Sequence, residues 1–328
     1  MIIIRMRDRD LANTRFAYNP LTEVTLSYHL LKAYHSKAHR TTRRHRWADA
    51  ALPVVDGMQL PYMDAVIDSC RFIPDFVMPP SAGTGLRLED QLNGLLDVPA
   101  DLIAEDIQKV ADLNGMTDER EQFIKDPHHA LPCLVEEIWA YWNAVLTAHW
   151  SRISATLDND VNYRARQLAL EGIEAVLKEL NEQLESPNRE TLIITKSHYD
   201  LKTELDGRGI QFYPSLFELG LVWQVGTTWQ PSIGYNARGA GLWYEPPAIQ
   251  TDEAIELTLG ASKARLLTAL QHPYTTSDLS HLLHVSAGAV SQQLTKLAQA
   301  GLVLSHRSGS RVYYRLSPRG AQLLEVFS

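Results

Sequence analysis

Apolar positions recur along this chain with two different periods, and the period changes with position. Leucines at 21, 26, 30 and 31 give residues 20–34 a helical face, and Pro20 suits a first-turn position. Helical spacing also predicts helices over 58–70, 88–96 and 99–113. Pro74, Pro79 and Pro80 keep the segment 71–80 out of helix. Residues 132–154 carry a strong amphipathic pattern, with Trp139, Trp142 and Trp150 on or near the apolar side, where they read as core. Leu168, Ile173, Val176, Leu177, Leu180 and Leu184 form a stripe that predicts one long helix over 163–184, ended by Pro187 and suited to packing or dimerisation. Near the start, Ile2, Ile3 and Ile4 open a strand, and 10–16 reads as a short helix or turn.

Beyond residue 190 the pattern shortens to β-like runs at 191–195, 210–213, 219–225, 232–235 and 242–244, with a flexible turn at 207–209. This stretch is rich in aromatic residues. They form either the core of a small sheet or the wall of a ligand pocket, and Phe212, Trp223, Trp229, Tyr235 and Trp243 are the candidate pocket residues. Glu245-Pro246-Pro247 then separates a mostly helical dimerisation or effector domain, 1–250, from a second domain, 256–328. The expected fold class is α+β, mainly α with small β regions.

The last domain follows one consistent scheme. A helix over 257–270 ends at His272-Pro273, and Thr275 or Thr276 caps a second helix with Asp278 in its first turn. Ser286 caps a third helix that buries Val290, Leu294 and Leu297, and Gly301 closes it. Strands at 302–307 and 311–316 flank a small turn, and a short helix follows over 319–327. Helix, helix, turn, helix, hairpin, helix is the order of a winged helix-turn-helix.

Charge sharpens that picture. The 328 residues are 45% hydrophobic and 21% charged, ordinary globular values for roughly two domains. The net charge of -8 argues against a basic coat, but residues 259–328 hold seven basic and two acidic residues, a net of +5 that leaves -13 on the rest. A nucleic-acid partner for the last domain alone fits that asymmetry. The exposed side of the third helix would present Gly288, Ser291, Gln292, Thr295 and Lys296, chemistry suited to base edges and phosphates. Ser286 and the free N–H groups beside it form an anion site, and Arg307 and Arg311 flank the wing turn. A second basic run, Lys32, Lys37, Arg40, Arg43, Arg44 and Arg46, contains no acid. It is either a solvated helix end or a second grip on phosphate or an acidic surface.

The string Ser286-Ala-Gly-Ala-Val-Ser-Gln-Gln-Leu-Thr-Lys-Leu297, followed by Arg307-Ser-Gly-Ser-Arg-Val-Tyr-Tyr-Arg-Leu316, resembles the DNA-binding domain of ArsR-type regulators. The resemblance implies a dimeric transcriptional regulator, commonly a repressor, on a palindromic double-stranded DNA operator. It implies Ser286, Ser291, Gln292 and Gln293 at DNA-facing positions, and a wing at 308–311 that includes Ser310. Unlike small members of that family, this domain follows about 258 other residues. The long preceding part is similar to the N-terminal region of a group of long actinobacterial ArsR-like regulators. The matching pieces are Asp10-Leu-Ala-Asn-Thr-Arg-Phe16, Pro20-Leu-Thr-Glu23, Ile73-Pro-Asp-Phe-Val-Met-Pro-Pro80, Gly207-Arg-Gly209, Pro214-Ser-Leu-Phe217 and Tyr235-Asn-Ala-Arg-Gly239. That similarity brings no ligand with it.

Other chemistry finds little support. Cys70 and Cys133 are too few for a disulfide framework or a thiolate metal site, and the last domain has no cysteine. His281 and His284 lack a completing ligand set, so no metal or cofactor is expected. No dinucleotide, phosphate-loop or zinc-protease motif occurs. Asp158 and Asp160 read as solvated turn acids, and Glu136-Glu137 as the polar side of a helix. Residues 1–6 are too quickly charged for a signal peptide and no apolar run spans a membrane, so a cytoplasmic, nucleoid-associated protein is expected. Two winged domains in a homodimer can read half-sites about 34–36 Å apart, which one domain cannot. The reading is a regulator rather than an enzyme, with gating by a small-molecule effector left open. The alternative is a small-molecule binding protein or enzyme whose winged domain is a protein adaptor.

Overall fold

The computed structural model describes all residues except 36–45, 69–71, 82, 84, 189, 196–199, 219, 227–228, 242, 245–252, 309–310, 326 and 328. The chain divides into two compact units, Met1–Ser151 with Leu157–Gly241, and Arg152–Thr156 with Leu242–Ser328.

The first unit opens with β1 (Ile2–Arg5), α1 (Asp8–Ala12) and β2 (Arg15–Phe16). A helical stretch follows: α2 (Pro20–His35), α3 (Arg46–Val55), α4 (Pro61–Val66), a 3-10 turn (Asp75–Val77), α5 (Leu88–Leu96), α6 (Ala100–Asn114), α7 (Asp118–Lys125), α8 (Pro127–Tyr141), a π turn (Trp142–Leu146), α9 (Trp150–Glu171, of which Arg152–Thr156 group with the second unit) and α10 (Ile173–Leu180). It closes with β3 (Leu184–Asn188), β4 (Thr191–Ile194), β5 (Leu201–Glu204), β6 (Gln211–Ser215), β7 (Leu221–Gln224) and β8 (Ser232–Asn236).

This unit is not purely helical. It holds two four-stranded sheets, ordered β3-β4-β1-β5 and β2-β6-β8-β7. Strands from the first sixteen residues thus pair with strands from beyond residue 190. In the second sheet β2, β6 and β8 run parallel and β7 runs antiparallel at the edge. Ile2, Ile4, Leu192 and Ile194 of one sheet and Phe212, Ile233 and Tyr235 of the other share a core with Val176, Leu177 and Leu180 of α10. The opposite side of β6 and β8 is polar. Gln211 exchanges hydrogen bonds with the Ser81 backbone at 2.8 and 2.9 Å, and Ser232 donates to Gln224 at 3.1 Å. Pro187 lies in β3, at a sheet edge, where its missing N–H costs no ladder bond.

Several expectations need correction. The helix over 163–184 is broken: Gly172 takes φ +84°, α10 ends at Leu180, and Leu184 already belongs to β3. The apolar spacing runs on through the break, so periodicity alone misses it. The helix over 132–154 starts earlier, at Pro127, and is interrupted by the π turn, where Thr147 N–H donates to the Trp142 carbonyl at 2.8 Å. Within α8 the buried side is formed by Ala130, Leu131, Leu134, Ile138 and Tyr141, and Trp139 falls outside it. Trp142 is buried, but Trp139 is 41% exposed rather than core. The pattern at 58–70 condenses to α4, with Cys70 outside the described residues, and 243–244 lies in a bend, not a strand. Asp158 and Asp160 lie inside α9. Asp158 accepts from Tyr18 at 2.8 Å, and buried Asp160 accepts from the Tyr235 hydroxyl at 2.5 Å and the Arg238 N–H at 2.9 Å. These acids tie α9 to the loop after β2, through Tyr18, and to β8, through Tyr235. Among the described residues, no helix is long and apolar enough to cross a membrane.

The second unit contains α11 (Glu253–Leu259), α12 (Ala261–Ala269), β9 (Tyr274–Thr275), α13 (Thr276–Leu283), α14 (Ala287–Gln299), β10 (Val303–Ser308), β11 (Arg311–Leu316) and α15 (Pro318–Glu325). Its sheet is β10-β11-β9, antiparallel throughout. Leu266, Leu267, Leu279, Val290, Leu294, Leu297 and Val303 are buried in its core.

Candidate nucleic-acid interface

The turn between α13 and α14 begins with a closed helix end. Thr275 and Asp278 form a reciprocal capping box at the start of α13. At its other end His284 adopts φ +55°, and Val285 N–H reaches back to the Ser280 carbonyl at 3.1 Å. Two residues later Ser286 caps α14, its Oγ accepting from the Ala289 N–H at 3.2 Å. The remaining first-turn N–H groups face the exposed helix start, a place suited to a phosphate oxygen.

Burial of Val290, Leu294 and Leu297 sets how α14 is rotated. Ser286, Gly288, Ser291, Gln292, Thr295 and Lys296 are all exposed. Thr295 Oγ1 donates to the Ser291 carbonyl at 2.9 Å, which leaves its lone pairs and methyl group outward. Gln293 is placed differently from its neighbours. It is half-buried, and its Oε1 is buried with no hydrogen-bond partner. A methyl group at Gly288 would meet nothing within 4 Å, so the glycine leaves a clear approach to the helix start.

The wing is held to this helix through its base. Ser317 donates to the Gly301 carbonyl at 2.6 Å and accepts from the Gly320 N–H at 2.9 Å, while Leu316 N–H donates to the Leu270 carbonyl at 3.0 Å. Along the hairpin, Val303 pairs with Leu316, Ser305 with Tyr314 and Arg307 with Val312 on the face that begins in the core. Leu304–Arg315 and His306–Tyr313 share the other face, and Arg311, two residues before Tyr313 on β11, falls on it too. Arg307 and Arg311 are both exposed near the tip and belong to opposite faces of the ribbon. Exposed His306 and Arg315 join Arg311, a cluster that sequence reasoning missed because it needs the strand register. Ser310 lies outside the described residues. Burial holds His272, just before the sheet, below the ordinary histidine value, so it adds no charge at neutral pH.

The other candidates disperse. Phe212 and Tyr235 are fully buried in the first unit's core, with Phe212 stacked on Phe16 at 5.3 Å, and Trp223 packs half-buried against them. Trp229 is half-buried in a bend, and Trp243 falls in the second unit. Of the basic run 32–46, Lys32 pairs with Asp64 at 2.7 Å, and 36–45 lies outside the described residues. His281 and His284 are exposed. Among the described residues, no group of three or more His, Cys, Asp or Glu side chains could hold a metal ion.

Residues 263–305 match the family model for bacterial regulatory proteins of the arsR family. A 65-residue stretch, 20% of this chain, is 33% identical to the arsenic resistance transcriptional regulator ArsR1 of Pseudomonas putida and covers 51% of that protein. The chain thus spans about half the length of the curated relative it matches. No solved structure matches. The winged region is therefore homologous to ArsR-type regulators, and the match does not extend over the first unit.

Proposed function

We propose that this chain is a sequence-specific DNA-binding transcriptional regulator, a dimeric repressor that reads a palindromic operator and is gated by a small molecule. One observation carries the reading: a capped, exposed recognition helix with Ser291, Gln292, Thr295 and Lys296 outward, fixed beside an arginine-bearing wing. In this reading α14 lies in the major groove. Gln292 addresses a base edge, Lys296 a phosphate or guanine, and the start of α14 a backbone phosphate. Arg311 reaches the neighbouring backbone or minor groove, and Ser310 is assigned to the same contact from the sequence alone. Two copies supply the second half-site. The first unit supplies dimerisation and effector binding, and no catalytic step is assigned to it.

The test is fluorescence anisotropy on tiled fragments of the gene's own upstream DNA at several salt concentrations. One fragment should bind tightly, well above the others, with affinity falling as salt rises. The Gln292→Ala, Arg311→Ala double variant should bind that fragment at least about tenfold more weakly, since each contact is worth about 1 kcal/mol or more. Unchanged affinity in a folded double variant overturns these residue roles. Weak, equal binding to every fragment favours the protein-adaptor use of the winged unit.

A further inference from the structure

An open groove of about 480 Å³ runs beside α8 at the start of α4, a volume in the range of small-ligand sites. Met58, Leu60 and Ala140 give it an apolar lining, and Tyr62, whose hydroxyl donates to Gln122 Oε1 at 2.7 Å, stands among them. Glu136 and Glu137 line the same groove, and none of its lining residues is basic. Glu137 accepts N–H groups from Met63 at 2.8 Å and Tyr62 at 3.2 Å. Its carboxyl nevertheless stays above the usual range, raised by burial and by the charges of Asp64 and Glu119. Lys32 is paired with Asp64, and Arg120 with Asp68. The groove is thus apolar in body and negative in potential, with no cation of its own among its lining.

We propose that this groove binds a lipophilic organic cation, its apolar body against Met58, Leu60 and Ala140 and its positive charge beside Glu136 and Glu137. A delocalised cation loses little hydration on entry and gains two carboxylates, whereas an anion of the same shape meets repulsion. The site rests on the first unit alone and would serve as the effector site of the proposed regulator. Binding is measured without DNA, so its failure leaves the DNA reading standing, and failure of DNA binding leaves the site standing.

The experiment is isothermal titration of the full chain with tetraphenylphosphonium and, separately, with tetraphenylborate, an anion of the same shape. The phosphonium should bind, and the borate should bind about tenfold or more weakly. Ala140→Trp, at an exposed position, should fill the groove and abolish binding. Glu136→Gln, also exposed, should weaken the phosphonium about fivefold, the loss of one partly screened charge, and flatten its salt dependence. Circular dichroism should show both variants folded. No phosphonium binding, equal binding of the two ions, or binding that both substitutions leave unchanged overturns the proposal.

Discussion

Gly288 and Gly320 lie in the same small unit and face opposite surroundings. A methyl group at Gly288 meets open space, whereas at Gly320 it would fall 2.1 Å from the Leu302 carbonyl oxygen. Gly288→Ala should therefore raise the melting temperature slightly, by the about 0.5–1 kcal/mol that alanine gains over glycine in a helix. It should also weaken operator binding if DNA closes on the start of α14. Gly320→Ala should lower the melting temperature, at a cost of about 1–3 kcal/mol for overpacking. Thermal denaturation with anisotropy on the same samples checks both. In sequence these two glycines look alike. Only the close approach of the 302 backbone distinguishes them. Gln292 and Gln293 teach the same lesson. They are adjacent and chemically identical, yet one is exposed and the other half-buried, because Val290, Leu294 and Leu297 decide the rotation of α14.

Between α9 and α10 the chain turns through Gly172 at φ +84°, and a side chain there would find free space. The cost of Gly172→Ala is thus backbone strain alone, about 1 kcal/mol, and differential scanning calorimetry should show a correspondingly small loss of stability. A straightened, continuous helix would instead raise stability and contradict the assigned break. The apolar stripe on both sides was legible, since Leu168, Ile173, Val176, Leu177, Leu180 and Leu184 all pack toward one core. The break was not, because a single glycine in a helical pattern costs too little to end a helix without a tertiary reason. The π turn after α8 is a similar case. It leaves the composition of the amphipathic pattern intact, so the pattern does not record it.

At the scale of the whole molecule, buried ionisable groups make stability depend on pH. Glu23 of α2 is fully buried, with one oxygen accepting the Leu216 N–H at 3.2 Å and Oε1 unpartnered, and burial pushes its carboxyl from 4.5 up to about 8. Across pH 4.5 to 8 the folded chain keeps a proton that the unfolded chain releases, so this group takes stability away as pH rises through that window. His29, on the same helix, acts in the other direction. Burial lowers it from 6.5 to about 4, so stability is lost as pH falls from 6.5 toward 4. Glu23→Gln should therefore melt above the parent protein at about pH 8.5, with the gap shrinking toward pH 5. A constant gap at both pH values would show that Glu23 stays ionised in the fold.

Most of the second unit is legible in the sequence, although Gly260 at φ +81° breaks the helix expected over 257–270 into α11 and α12. Its caps, apolar spacing, glycine exit and hairpin are all local signals, each operating within about one helical turn or one strand pair. The arsR family match over 263–305 falls in the same stretch. Tertiary structure alone decided the first unit's architecture. Strands near residues 2–5 and 15–16 find partners about two hundred residues away, and no local pattern records such a pairing. It also decided that half-buried Asp158 and buried Asp160 serve as anchors, and that Arg307 and Arg311 leave the wing on opposite faces. A strand's register turns alternate side chains to opposite sides, and register is set by the partner strand rather than by the residues themselves.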